Sequence, residues 1–423
     1  MAKEGNNNGT LELTERGVQM SKLGFMGALL TSLILLSACE GSGHFLFNDP
    51  PDDISQASDQ TRYTVFFESS PMPLAMYEPA QGSFAGMYTD ALPSPNGRVI
   101  APVEASIGAS HATFMEVMHL GEDFPTLWVL ECIAEQKIPV IVILPPEEGN
   151  PFDNEWEEIL TETAISFSEF PVPMFAVFYP VPVDPIWDSA TYIAFFRYAR
   201  ALFAVHAPHV AFVWAVDGDK ENFIDYFPGD LAADWVGLSL FSRSTDVLES
   251  GDALERIISF YHTFQQRKPM MLNLGLGHFS TADHRYHIAE TSDALGKVYR
   301  TILRDFPRVK MVNYMDINRI DYNGNDYRVS MDTALRTAYR DSIQGFISAT
   351  PRNFDDGLIT QPIRSAYTAF VEDGRIYLDI RILEEALDIS VSEQTRWIDG
   401  ARRVDTELLG IRAEIYQGHV WLR

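Results

Sequence analysis

The sequence predicts an α/β protein: a (β/α)8 TIM barrel followed by a small C-terminal α+β domain. Three observations lead there. Eight short apolar runs recur between residues 73 and 318, bounded by Gly, Pro, Asp or Asn; such runs are strands buried on both faces, as in a parallel sheet. Amphipathic stretches at helical spacing separate them, the pattern of βα units. After Ile347 the alternation stops, and turn-rich sequence and hairpins take over. With 423 residues the chain can hold a barrel of about 250 residues and one smaller domain.

The expected strands are PLAMYEP (73–79), HATFMEV (111–117), PVIVILPP (139–146), PMFAVFYP (173–180), VAFVWAVD (210–217), DWVGLSLF (234–241), PMMLNLGLG (269–277) and KMVNYMDIN (310–318). The expected helices are 124–136, 155–170, 191–206, 253–267, 292–306 and 331–347, each with apolar residues three and four apart. Between the fifth and sixth strands lies the turn signal Phe227-Pro228-Gly229-Asp230. The barrel is expected to span 63–350.

The remainder, 351–423, is entered through the linker ATPRNFDDGLITQP, which begins at Ala349. A hairpin with Asp373-Gly374 at its turn follows, then a short helix (RILEEALDI), a second unit DGARRVDTELLGI and a closing strand. The second unit echoes the first, as an internal repeat does. DGRIYLDIRILEEALDI resembles the copper amine oxidase N-terminal-like, or stalk, domain of bacterial surface proteins, so a protein partner is expected for this region. Copper does not follow, because His419 is the one usual nitrogen or sulfur ligand in the segment.

At the other end, Leu23 to Leu36 is an apolar run too short to span a bilayer comfortably, and Lys22 precedes it. It ends in Leu36-Ser37-Ala38-Cys39, which resembles the bacterial lipobox and implies cleavage before Cys39 and lipidation of its sulfur. Residues 1–38 are thus expected to be a lipoprotein signal peptide, with initiation at Met20 as an alternative to Met1. Residues 39–62, rich in Gly, Ser, Asp and Pro, are expected to form a flexible tether. The expected location is extracytoplasmic, held to the bacterial cell membrane by lipid alone. Cys132, the second of two cysteines, reads as a buried small hydrophobe, so no disulfide framework exists.

A net charge of −27 repels phosphate backbones and argues against nucleic-acid binding, while a neutral polysaccharide or a cation-rich wall tolerates it. No P-loop, G-x-G-x-x-G, G-x-S-x-G or H-E-x-x-H occurs, so no cofactor is expected. His278, Asp283, His284 and His287 could ligate a metal, but helix capping explains them as well, and no metal is expected.

The segment VWAVDGDKENFIDYFPGDLAADWVGLSLF (213–241) resembles the fifth and sixth strands of the glycoside hydrolase family 26, or β-mannanase-like, barrel. That resemblance implies two catalytic glutamates, at the ends of the fourth and seventh strands; retaining glycosidases hold such a pair about 5–5.5 Å apart. Here Pro180 and Val181 stand near the first position and Leu274 at the second, with no carboxylate between Lys268 and Asp283. Phe241 replaces the tyrosine that bonds the nucleophile. No catalytic residue is therefore assigned.

Rim residues expected to touch a glycan are Tyr77, Glu78, Asp184, Trp187, Trp214, Phe241, Asn273, His278 and Asp316. Aromatic faces stack on sugar rings, and carboxylates and amides bond hydroxyls; Glu116, Asp217, Tyr314 and Tyr322 are further polar or aromatic groups near strand ends. The expected function is a non-hydrolytic barrel that binds polysaccharide or cell-wall glycan. The alternatives are an active mannanase-like glycosidase with displaced carboxylates such as Asp184 and Glu78, and a structural spacer in an envelope assembly.

Overall fold

The computed structural model describes residues 61–66, 72–94, 97–145, 154–244, 252–281, 284–351, 353–354, 358–359, 367–372, 375–379, 395–398, 401–406, 413–416 and 419–422. Eight parallel strands close into a barrel. They are β1 (Phe84–Thr89), β2 (Thr113–His119), β3 (Ile138–Leu144), β4 (Met174–Phe178), β5 (Val210–Asp217), β6 (Trp235–Arg243), β7 (Met270–Gly277) and β8 (Val309–Asp316). Each pairs with the next, and β8 returns to β1 with Met311 opposite Phe84. The helices of eight or more residues among the described residues are α1 (Ile100–Ile107), α2 (Thr126–Ala134), α3 (Asn154–Ser168), α4 (Ser189–His206), α5 (Asp252–Phe264), α6 (Ile288–Asp305) and α7 (Thr333–Ser342). A single 3₁₀ turn, Phe223–Tyr226, replaces the helix between β5 and β6.

Because strand side chains alternate, the buried apolar residues divide into two layers. Phe178, Phe212, Trp214, Val216, Leu272 and Leu274 face outward onto the helices. Phe84, Met115, Val140, Val142, Phe175, Val213, Met271, Met311 and Met315 fill the interior. Asp188 caps α4 by accepting from the Thr191 N–H, and Asp332 caps α7 by accepting from Ala334 and Leu335.

Seven of the expected strands lie where the apolar runs put them, and the first does not. PLAMYEP is not a barrel strand. Met72–Pro73 pairs antiparallel with Leu358–Ile359, and residues 75–78 turn across the N-terminal end of the barrel. There the Trp235 indole N–H donates to the Met76 carbonyl at 2.7 Å, the Tyr77 hydroxyl donates to the His209 carbonyl at 2.5 Å, and Tyr77 packs on Phe175 and Phe354. The segment has a strand's composition but serves as a plug. β1 instead comes from FAGMYT, whose central Gly86 weakens the apolar signal.

The second sheet also uses both ends of the chain. Its order is 395–398, 401–405, 375–379, 367–372, 61–66, 419–422, 413–416. Thr61–Phe66 runs antiparallel to Tyr367–Glu372 and parallel to His419–Leu422. Residues 63–66, expected at the start of the barrel, therefore belong to this sheet. The hairpin read from the sequence is present as Tyr367–Glu372 against Arg375–Asp379, and the second unit contributes Ala401–Asp405, which pairs antiparallel with Thr395–Ile398. The short helix expected in 381–389, the lipidation site Cys39 and the signal segment lie outside the described residues. Among the described residues no helix is long and apolar enough to cross a membrane.

Candidate functional site

Parallel strands bring all their C-terminal ends to one mouth, where (β/α)8 proteins hold their chemistry. Below the mouth a polar chain crosses the interior. Thr113 Oγ1 donates to Asn313 Oδ1 (2.9 Å), Asn313 Nδ2 donates to Asn273 Oδ1 (3.1 Å), and Asn273 Nδ2 donates to Ser239 Oγ (3.1 Å). The chain passes over β1 only because Gly86 has no side chain: a Cβ there would sit 2.0 Å from Asn313 Oδ1 and 2.1 Å from Thr113 Oγ1. Burial makes each of these bonds costly to break, since an orphaned amide loses its water as well.

Above that chain, the β6–β8 side of the mouth is filled by rings. Phe241 on β6 and Tyr327, which follows the Asn318–Arg319/Asn325–Asp326 hairpin, pack edge to face at 5.2 Å. Both lean over Gly275 of β7, where a Cβ would meet Phe241 Cδ1 at 2.6 Å and Tyr327 Cδ1 at 3.0 Å. Asn325 covers Gly277 in the same way, at 3.0 Å. Neither mouth-side interior position of β7 carries a side chain.

The ionisable groups at this end are unevenly compensated. Asp217 ends β5, continues the inward-facing row Ala211, Val213, Ala215, and accepts from the Asp219 N–H at 2.8 Å; burial pushes its carboxyl up to about 7. Tyr88, on the interior of β1, is pushed up by burial and then by Glu116. Arg319, three residues beyond β8, is 4% exposed. Its Nε is buried without a partner, and its guanidinium lies 5.3 Å from the Tyr322 ring centroid. Burial lowers its affinity for the proton, against the pull of Tyr88, Asp90, Tyr322 and Tyr327.

Several residues expected at the rim lie elsewhere. Tyr77 and Glu78 are at the opposite end: Glu78, 1% exposed, accepts from Arg308 Nε at 2.8 Å and Nη2 at 3.1 Å, a bidentate buried pair that closes the plug. Trp214 is fully buried outside the barrel against Phe227, Phe260 and Phe264. Trp187 packs edge-on against Tyr179 and Phe195 over α4. Asp316 is buried, accepts from the Ser330 N–H (2.9 Å) and hydroxyl (2.7 Å) to hold the Val329–Met331 turn, and is raised by burial to about 6. His278 is buried beside Asp326 (3.6 Å) and the Arg328 carbonyl (3.0 Å), with its protonation disfavoured by burial. Asp184 is exposed past β4. Phe241 and Asn273 alone of the nine face the interior near the mouth.

Val181 and Leu274, read as stand-ins for the two glutamates, both face the outer layer. The position on β7 that meets the mouth is one residue further on, at Gly275. The residues that sequence reasoning missed are Arg319, Tyr327 and the partners Thr113, Asn313 and Ser239. A signal for the last group existed: Asn273 and Asn313 each interrupt an otherwise apolar strand, and they lie side by side in the β7–β8 register. Among the described residues no group of three or more His, Cys, Asp or Glu could hold a metal; Asp283 lies outside them.

No protein-family model and no curated protein matches the chain. Solved structures that it is similar to include a family GH26 β-mannanase from Bacteroides ovatus, at TM-score 0.48 and 12% identity, covering 64% of this chain and 92% of that one. Another is a Bacillus subtilis mannanase, at TM-score 0.42 and 13% identity, covering 68% and 91%. A third is a Cellulomonas fimi endo-β-1,4-mannanase double mutant, at TM-score 0.47 and 11% identity, covering 84% and 94%. At such identity no residue role passes from them to this chain.

Proposed function

We propose that the barrel binds a glycan at its C-terminal mouth without hydrolysing it, in an extracytoplasmic protein tethered by lipid at Cys39. The observation that carries the reading is the state of β7 and β4 at the mouth. Gly275 and Gly277 offer no side chain, the rings of Phe241 and Tyr327 occupy the space a β7 carboxylate would need, and β4 ends at Phe178, followed by Tyr179-Pro180. Among the inward-facing positions of the eight strands, Asp217 is the acidic one. Glycosidic hydrolysis needs two carboxyl groups across the bond; one aspartate, pushed up to about 7 by burial and bonded to its own loop, supports binding better than displacement. The aromatic and amide groups that remain are those that stack on rings and bond hydroxyls.

The test pairs two measurements on the full chain. Glycan-array binding should detect a ligand, and incubation with β-mannan should release no reducing ends. Release that disappears in Asp217→Asn or Asp184→Ala would instead establish an active glycosidase with displaced carboxylates. The C-terminal segment, whose sequence DGRIYLDIRILEEALDI resembles the stalk domains of surface proteins, supplies the proposed contact with a protein partner.

A further inference from the structure

Two arginines at opposite ends of the barrel are equally buried and differently treated. Arg308, 2% exposed, has the Glu78 carboxylate across its fork and donates Nη1 to the Gln265 carbonyl at 3.0 Å. Arg319, 4% exposed, has no ion pair among the described residues, and its Nε bonds to nothing. The nearby acids are engaged elsewhere: Asp90 accepts from the Asn318 N–H at 2.8 Å, and Asp326 is taken by the Arg328 fork at 2.9 and 2.6 Å. A buried guanidinium without a carboxylate bonded to it costs several kcal/mol of lost hydration. In a chain of net charge −27, with 59 acidic residues available to pair it, leaving this one unpaired is a specific arrangement.

Its surroundings describe a ligand. The guanidinium sits among Tyr88, Asp90, Tyr322 and Tyr327, which act on its charge, and Asp90 makes no ion pair with it. Tyr88 and Tyr327 face the barrel interior, and Tyr322 is 37% exposed, with Arg319 over its ring. A planar fork of N–H donors matches a carboxylate with two parallel bonds, and the tyrosines offer a ring face and hydroxyls for the sugar that carries it. We propose that Arg319 is the anchor of an anion site in the barrel mouth, that its ligand is the carboxylate of an acidic sugar, a hexuronate unit, and that Tyr322 packs against that unit. The inference rests on the glycan-binding reading above and narrows it: the glycan is acidic, although the protein itself is strongly negative. Arg319 then confers selectivity, because a neutral sugar leaves the guanidinium uncompensated.

The experiment titrates the full-length chain in detergent by calorimetry with hexagalacturonate, with neutral mannohexaose and with inorganic phosphate. The expected result is tighter binding of the uronate, lost at least tenfold in Arg319→Gln and partly kept in Arg319→Lys, with phosphate failing to displace it at equal concentration. Arg319→Gln should also melt at or above the wild-type temperature, since an unpaired buried charge is removed. Undiminished uronate binding by Arg319→Gln, a lower melting temperature in that variant, or equal competition by phosphate overturns the site as a carboxylate anchor. If mannohexaose binds and the uronate does not, this inference fails and the glycan-binding reading stands; if neither sugar binds, this inference fails, and a glycan array without a hit overturns the broader reading as well.

Discussion

Phe241 lies across Gly275, with its Cδ1 2.6 Å from where a Cβ on that glycine would be. This contact, rather than the identity of Leu274, fills the mouth-side space of β7. It predicts that Gly275→Ala destabilises the protein by about 1–3 kcal/mol, the usual cost of forcing atoms into a filled core. Phe241→Ala should relieve part of that cost in the double variant, giving a coupling of opposite sign to the single losses. Chemical denaturation of the four proteins in the cycle measures it; simple additivity would mean that the two residues do not compete for the space.

A second prediction concerns the floor of the mouth. Gly86→Ala places a methyl group on the bond between Thr113 and Asn313, so the chain from Thr113 to Ser239 must break or β1 must move. Either outcome leaves a buried amide short of a partner, at about 1–3 kcal/mol in addition to the packing strain. A combined loss on the order of 3 kcal/mol in urea unfolding is expected. A stability within about 0.5 kcal/mol of wild type would show that the chain is not held at that geometry.

Glu78 gives the third. Its carboxylate holds Arg308 at the closed end of the barrel, away from the mouth. Removing one partner of a buried pair strands the other charge and costs about 3–5 kcal/mol. Glu78→Gln should therefore lower the melting temperature markedly while leaving glycan affinity unchanged at temperatures where the variant is folded. Affinity that falls with the substitution at those temperatures would put Glu78 back at the binding site.

These cases show what the sequence displayed and what it concealed. Seven barrel strands were legible because buried parallel strands are nearly continuous apolar runs, as in Val210–Asp217. PLAMYEP has the same composition, yet it caps the barrel, since Glu78 needs Arg308, a residue 230 positions away that local pattern cannot reveal. Side-chain direction was the other gap. Leu274 and Gly275 differ by one residue, and in a strand one residue decides between the helix layer and the interior. Arg319 was invisible for a different reason: a charged residue in a polar turn reads as solvated, and only the fold shows it 4% exposed.

Asp217 yields a fourth prediction, with a definite sign. Burial raises its carboxyl from 3.8 to about 7, so between about pH 4 and pH 7 the folded state binds a proton that the unfolded state has released. Stability from this group is then highest below pH 4 and is lost as pH rises towards 7. Asp217→Asn removes that penalty. The difference in unfolding free energy, variant minus wild type, should grow between pH 4 and pH 7 and level off above it, at on the order of 1–4 kcal/mol. A difference that does not vary with pH would mean that Asp217 ionises normally in the folded protein.

The last prediction follows from the strand Thr61–Phe66. It lies inside the second sheet, between Tyr367–Glu372 and His419–Leu422, with Tyr63 opposite Ala369 and Val65 opposite Val420. Removing a central strand unpairs two ladders at once and leaves two facing rows of N–H and C=O groups without partners, whereas the barrel strands make none of their ladder bonds to it. A chain beginning at residue 67 should therefore keep slow amide exchange in β1–β8 but lose protection in 367–372 and 419–422, and adding the peptide 58–67 in trans should restore it. Hydrogen-exchange mass spectrometry reads each segment separately. Unchanged protection of 367–372 in the truncated chain would mean that the second sheet folds without the strand, and loss of protection throughout β1–β8 would mean that the barrel depends on it as well.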